Sequence, residues 1–381
     1  MPVARVRLAP DRAHRDPSSP APAAEGVAAA EDRLLEALVE AAGAAEPVAA
    51  LAAVLEEADP ADLPLTGAGR TRSQWEMLAT LGARSLAAAR VVEPHLDALS
   101  ILSQAGVPSP QGLLGVYASE SGGVTPAATR LTGHDDGADT WRLDGTKPWC
   151  SLAAECTSAV VTARRAEDGR PQAFLVDLRH PGVDVGEPAW PALGLRDVTT
   201  GPVAFDAVPA AQVGGPEWYL QRPGFAWGGI GVAACWFGGA VHAARTLRAQ
   251  LHRRQAGADE GRGTGPDQIG QAAYGRADRL LRTAAVVLGQ AAEAVDAGDL
   301  DHASGMVEAD RVRGTLAQVC TEVLRVVGEA TGPGPLTQDA GHAQAVADLQ
   351  VYLRQHHGDR DDARLGAALL KDGRDGAGAW W

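Results

Sequence analysis

Cysteine is scarce in this chain of 381 residues: Cys150, Cys156, Cys235 and Cys320 are the only four. They form no CxxC pair and stand at no ligand spacing from a histidine, so neither a disulfide framework nor a zinc site is indicated, and a reducing cytoplasm is the compartment this usage implies. Clusters of Lys and Arg are also missing. The 34 basic residues are scattered among 48 acidic ones, the formal net charge is −14 and the pI is near 5.2. A nucleic-acid partner is therefore excluded, because affinity for a phosphate backbone rests on clustered cations. No membrane span is expected either. The charge-free run from Phe225 to Val241 is 17 residues long and rich in Gly and Ala. That is short of the ~20 residues a spanning helix needs, and it reads as a buried helix in a packed bundle. The N-terminal stretch MPVARVRLAPDRAHRDPSSPAPAAEG has no apolar core of the secretory type and reads as a loose tail. No repeat of ~20 to 50 residues occurs. No GxGxxG after a strand, no Walker A motif and no GxSxG elbow is found, which removes Rossmann nicotinamide binding, P-loop hydrolysis and α/β-hydrolase chemistry.

What is present is the composition of an ordinary globular protein, 45% apolar and 22% charged, with room for two or three domains. From Ala29 to Leu55, Ala, Leu and Glu dominate and helix is expected by propensity. Ser73-Gln74-Trp75-Glu76 has capping-box spacing. Trp75, Leu78, Leu81, Leu86, Ala89, Val92, Leu96, Leu99 and Leu102 follow at helical steps, with Pro94 expected to kink or break the run. After VPSPQG the texture changes. Between about Gly112 and Val213, short β-rich runs (GLLGVYAS, TWRLDG, SAVVTA, AFLVDL, GVDVG, GPVAFDAV) alternate with turn residues. Helical texture then returns and persists to Gln355. Ile269, Ala273, Ala277, Leu280, Ala284, Leu288, Ala291 and Val295 form one apolar stripe, and Leu316, Val319, Val323, Leu324 and Val327 another. The expected organisation is α+β: a tail over 1–28, a helical domain over 29–111, a β-domain over 112–214, a helical bundle over 215–366 and a second tail over 367–381. Helices on both sides of a β-domain leave crevices suited to a flat ligand.

Three motifs stand in order within the β-domain. TWRLDGTKPWCS (Thr140 to Ser151) carries Gly145, Lys147, Trp149 and Ser151, and AFLVDLRHPGVDV follows. GLRDVTTGPVAFDAVPAAQVGG then brings Gly194, Arg196, Phe205, Val208, Pro209 and Gly214. In these motifs, and more weakly through nearly the whole chain to Gly366, the sequence resembles the acyl-CoA dehydrogenase superfamily. The resemblance implies a central β-domain between two helical blocks, FAD as cofactor, an acyl-CoA or carrier-bound acyl thioester as small-molecule substrate, and a homodimer or homotetramer. It places Trp149 and Ser151 against the flavin, the indole covering the ring and the hydroxyl directed at N5, with the upstream hydroxyl-acid pair at Ser119 and Glu120. Read without the resemblance, Trp149 is a half-buried strand residue and Ser151 a turn hydroxyl. The pattern departs from the family's at Ser121, where a proline is usual, and in the Arg-x-x-Phe-Gly motif, present at best as Arg253, Ala256 and Gly257.

The family's α-proton abstraction needs a desolvated carboxylate beside the thioester. An ungapped match of the last helices sets His356 where that carboxylate belongs, and the alternative location falls near Gly228. His356 is accordingly the candidate catalytic residue, as a base or as a hydrogen-bond donor in a different flavin reaction. Equally, Arg354, His356 and His357 could simply complement a helix C-terminus. A metal set of His356, His357, Asp359 and Asp361 is disfavoured, since adjacent histidines point to different helix faces. Three functions follow: an FAD-dependent oxidoreductase of acyl-CoA dehydrogenase type, a flavin monooxygenase or hydroxylase on the same fold, and a non-catalytic relative that binds an acyl group or a protein.

Overall fold

The structure, a computed structural model, describes residues 3–8, 22–120, 122–131, 140–188 and 190–372. The first helical block comprises α1 (Pro22–Ala41), α2 (Pro47–Glu57), α3 (Thr71–Arg84) and α4 (Leu86–Ala105). The single helix expected from Ala29 to Leu55 is two helices, because Pro47 starts a new first turn, where its missing N–H costs nothing. The long run from Trp75 to Leu102 breaks at Ser85 and not at Pro94. Ser85 adopts an extended conformation and its hydroxyl accepts the Ala88 N–H at 3.2 Å, capping α4. Pro94 remains inside α4. A proline there deprives one carbonyl of its donor, and packing of α4 against α3, α6 and the sheet holds the helix together. Nor do Ser73 and Glu76 form a cap, for α3 begins at Thr71.

Glu76 instead ties down the N-terminal segment, where the loose-tail expectation fails for residues 3–8. Val6 and Leu8 are 5% and 1% exposed. Val6 N donates to Thr80 Oγ1 and Leu8 N to Glu76 Oε1, each at 3.0 Å. Two buried apolar side chains and these bonds hold the segment as a strap across α3. Residues 9–21 of that stretch lie outside the described residues, and α1 begins at Pro22 within it.

The middle of the chain is a seven-stranded sheet: β1 (Leu114–Tyr117), β2 (Ala127–Arg130), β3 (Thr140–Ser151), β4 (Ser158–Arg165), β5 (Pro171–Asp177), β6 (Val183–Val185) and β7 (Thr200–Val213). The pairings β4–β2–β3–β7–β5 return to β4, so the sheet closes into a small barrel, with β1 added to β4 and β6 to β7. The six expected strands are all there; β2, too short and polar to show a pattern, is the addition. Inside, Lys147 is completely buried, its Nζ donating to Thr162 Oγ1 at 2.8 Å and to the Thr162 carbonyl at 3.0 Å.

The third block contains α5 (Trp218–Gln221), α6 (Pro223–Asp259), α7 (Gln268–Ala297), α8 (His302–Thr331), α9 (Gly334–Gln338), α10 (Ala340–Tyr352), a 3-10 turn (Leu353–Gln355) and α11 (Asp359–Asp372). Helix α6 holds the charge-free run and is long and apolar enough to cross a membrane, yet 67% of its most apolar window is buried inside the protein. It packs on α3, α4, α7, α8 and α10. Its approach to α3 is close enough that a Cβ on Gly82 would stand 2.6 Å from the Cys235 carbonyl oxygen. The architecture is the expected one, helical blocks before and after a β-domain. Helix α11 runs on to Asp372, past the expected end of the bundle at 366, and 373–381 lie outside the described residues.

Candidate active site

The exposed indole of Trp149 marks the site. Strand β3 pairs Lys147 with Val203 but Cys150 with Gly201, so one extra residue is accommodated on β3. Such a bulge re-aims side chains, and here it leaves Trp149 46% exposed beside the buried Cys150. The ring of Trp190 meets it edge-on at 6.5 Å, itself fixed by an Nε1–H donated to the Gly194 carbonyl at 2.9 Å. Two residues beyond Trp149, the Ser151 hydroxyl lies 3.0 Å from Thr200 Oγ1, and the Ser151 carbonyl accepts from Tyr117 Oη at 3.1 Å. Ser119 stands at the mouth of the same cavity, of about 420 Å³, which is walled further by Arg90, Val116, Leu195, Val198, Gln355 and His357. Thus Ser119 is brought together with Trp149 and Ser151, some thirty residues further along the chain.

His356 is not in that wall. Its ring is turned toward Asp361, Nδ1 to Oδ2 3.1 Å, with Gly314 of α8 beneath it. The neighbouring His357, with its side chain 63% exposed, lines the cavity. The turn bearing both is held from two sides. The Arg313 guanidinium donates to the Gln355 carbonyl at 2.9 Å. Asp361 accepts the His357 N–H at 3.0 Å and is bonded by Arg364 at 3.0 Å. Although burial opposes it, the His357 N–H and the Arg364 charge hold the Asp361 carboxyl below its ordinary value. The four-ligand metal set does not form: among the described residues no group of three or more His, Cys, Asp or Glu is placed to hold a metal ion.

Glu120 pairs with Arg164 at 2.9 Å, away from the cavity wall. Ser121 lies outside the described residues. Arg253, Ala256 and Gly257 fall in the last turns of α6 and do not line the cavity. At Gly228, a Cβ would stand 2.9 Å from Asp97 Oδ1, so the space a longer side chain would need is already filled from α4.

That contact exposes a feature the sequence reading missed. Arg90, Glu93 and Asp97 lie on one face of α4 and turn inward. Arg90 Nη1 reaches Glu93 Oε2 at 3.1 Å, and Asp97 stands 3.7 Å from Arg222 Nη2. Burial pushes the Glu93 carboxyl up to about 7, Arg90 pulling down, Asp97 pushing up and Arg313 pulling down. The spacing R-x-x-E-x-x-x-D amid apolar neighbours was the available signal. Among the described residues lining the cavity there is no Asp or Glu.

The residues fit a flat, aromatic, electron-accepting group: an indole face open to the cavity, hydroxyls at Ser151 and Thr200, and a guanidinium for negative charge. The family model of the acyl-CoA dehydrogenase middle domain matches residues 116–208. No curated protein matches the sequence. Among solved structures, TdsC from Paenibacillus sp. A11-2 in complex with FMN and indole is similar at 16% identity and TM-score 0.74, over 91% of this chain and 98% of TdsC. KijD3 in complex with FMN and a dTDP-linked amino keto sugar is similar at 18% and 0.71, over 93% and 95%. Butyryl-CoA dehydrogenase from Megasphaera elsdenii is similar at 17% and 0.71, over 93% and 100%.

Proposed function

We propose that this chain, whose residues 116–208 match the acyl-CoA dehydrogenase middle domain and whose fold is similar to that of butyryl-CoA dehydrogenase, is a flavin-dependent monooxygenase. The observation that carries this reading is the cavity wall: an exposed indole, hydroxyls, a guanidinium and an imidazole and, among the described residues, no carboxylate to abstract an α-proton. Fold relatives with this choice of chemistry exist, such as the dibenzothiophene monooxygenase TdsC.

In this reading Trp149, Ser151, Thr200 and Ser119 hold the flavin, which when bound supplies electron transfer to molecular oxygen. Trp149 covers a ring face and, with Trp190, Leu195 and Val198, keeps water from it. The Ser151 hydroxyl offers a hydrogen bond, with Thr200 Oγ1 fixing its orientation. Arg90, which lines the cavity, would supply positive charge to an anionic group held there. His357, which lines the cavity, is the proton-exchanging group. His356, the candidate of the sequence reading, packs against Asp361 and supports the turn. The substrate is a small molecule; an acyl thioester remains the prediction of the dehydrogenase reading.

The test uses purified full-length protein with FMN and with FAD in parallel. Oxygen consumption driven by externally reduced flavin, with no anaerobic bleaching by a panel of acyl-CoA thioesters, is the expected result. Bleaching by an acyl-CoA would establish the dehydrogenase instead. Absence of binding to either flavin would leave only a non-catalytic relative.

A further inference from the structure

On the reading that the Trp149 cavity holds a flavin, the polar stripe of α4 acquires a function. Arg90 reaches the cavity wall from α4, beside Ser151 and Trp149. Glu93 sits one turn behind it, its side chain 11% exposed and its Oε2 3.1 Å from the guanidinium. It does not enter the wall, so its route to the cavity is through the charge of Arg90. The carboxylate is enclosed on every side. Asp97 follows on the same helix and is drawn toward Arg222. Arg313 approaches from α8, Cys235 from α6, Tyr352 from α10 and Tyr219 from α5, with Tyr117 of β1 near Arg90.

Of these groups the thiol and the phenols are raised by burial and stay neutral through the physiological range. His95, two residues beyond Glu93 and so on a different face of α4, is held by burial near 4 and is likewise uncharged at neutrality. Asp97 is also raised by burial, though Arg222 opposes this. The guanidiniums remain protonated. Glu93, 3.1 Å from the guanidinium that reaches the cavity, is the group in direct contact with Arg90, and burial raises its carboxyl to about 7.

We propose that Glu93 is a positioning residue that controls how much of Arg90's charge the cavity receives, and so sets the preference of the site for the anionic, reduced form of the flavin. With Glu93 ionised, Arg90 is neutralised within the helix. With Glu93 protonated, the guanidinium's charge is available to an anion in the cavity. Two-electron reduction of a flavin with uptake of one proton leaves the ring with one negative charge. A second proton, taken from solvent, goes to the Glu93 carboxylate and not to the ring. Linkage makes the effect reciprocal: a negative ring raises the proton affinity of Glu93 by the factor with which protonated Glu93 favours the negative ring.

The test compares the full-length protein with Glu93→Gln, each reconstituted with FMN and reduced by dithionite under anaerobic conditions. A spectroelectrochemical titration from about pH 5.5 to about pH 8.5 gives the ratio of affinities for reduced and oxidised FMN. In the wild type this ratio should fall roughly tenfold across neutrality, the most that one linked proton allows per pH unit. In Glu93→Gln it should stay at the acid value of the wild type throughout. The flavin's own titration is common to both and cancels in the comparison. Arg90→Gln should lower the ratio to the alkaline value at every pH. Should Glu93→Gln not fold, reduced-minus-oxidised infrared spectra of the wild type near neutral pH still decide: reduction must produce a protonated carboxyl band. Identical pH profiles in wild type and Glu93→Gln, or no gain of that band, overturn the proposal while leaving the flavin reading standing. Failure to bind FMN at all overturns the flavin reading first, and this one with it.

Discussion

Lys147→Met provides the most quantitative test of how the β-domain is built. The lysine is completely buried at the start of the bulge, two residues before Trp149, and its ammonium is bonded to two oxygens of Thr162 on β4. Burial pulls its pKa from the ordinary 10.5 down to about 8, Glu120 and Cys150 opposing and Arg164 assisting. Below about pH 8 the lysine is charged in both folded and unfolded chains, and the folded state bears the full cost of burying that charge. Between about 8 and 10.5 the unfolded chain keeps the proton and the folded chain does not, so stability rises with pH. The difference between the two values corresponds to about 3 kcal/mol. In Lys147→Met this contribution is absent, and the Thr162 oxygens lose their donor, an opposing cost of about 1–3 kcal/mol that does not depend on pH. The measurement is the thermal midpoint of each protein from about pH 7.5 to 10.5. The wild type should gain several degrees on the variant as the pH rises. A gap between the two midpoints that stays constant over this range refutes the reasoning, and a gap that closes in the other direction refutes it equally.

Three further outcomes are expected. Trp149→Ala should weaken flavin binding at least about tenfold, or ~1.4 kcal/mol, because a stacked aromatic face is lost; a fluorescence titration that shows unchanged affinity would remove the indole from the site. His357→Ala should cut oxygen-dependent turnover about 10²-fold with little change in melting, while His356→Ala, which strips a buried ring from beside Asp361, should lower the melting temperature more than it lowers turnover. The reverse pattern would return the catalytic assignment to His356. Gly82→Ala should cost about 1–3 kcal/mol by forcing α3 and α6 apart, since its Cβ would meet the Cys235 carbonyl at 2.6 Å; an unshifted thermal midpoint would show that the two helices can yield.

The three-block order was legible because the blocks differ in texture: apolar residues recur every three to four positions in the helices, whereas short continuous β-rich runs such as β4 and β5 stand between turn residues in the β-domain. Where expectation and structure part, a local choice was made by distant neighbours. Pro94 marks a helix break by its own chemistry, but α3, α6 and the sheet surround α4 and keep it whole, and the break moves to Ser85, whose hydroxyl can cap. The N-terminal strap reads as a tail because two apolar residues in alternation are a weak signal. Only the Thr80 hydroxyl and the Glu76 carboxylate, some seventy residues away, make it a defined segment.

The site divides in the same way. Sequence alone determined that Trp149, Ser151 and Ser119 belong to one motif-bearing β-domain, because residue type and spacing within a strand and its turns are local properties. Through the family resemblance it also set His356 and Gly228, neither of them a carboxylate, where the family's base is expected. It named His356 and could not show that the neighbouring His357 lines the cavity instead, since which of the two does so depends on Asp361, Arg313 and Arg364 gripping the turn from α8 and α11. Nor could it show that Glu93 and Asp97 are interior charges, since on a helix surface the same spacing is an ordinary solvated face. Burial is conferred by what packs against a residue, and α5, α6 and α8, which enclose these carboxylates with Arg222 and Arg313, are more than a hundred residues further along the chain.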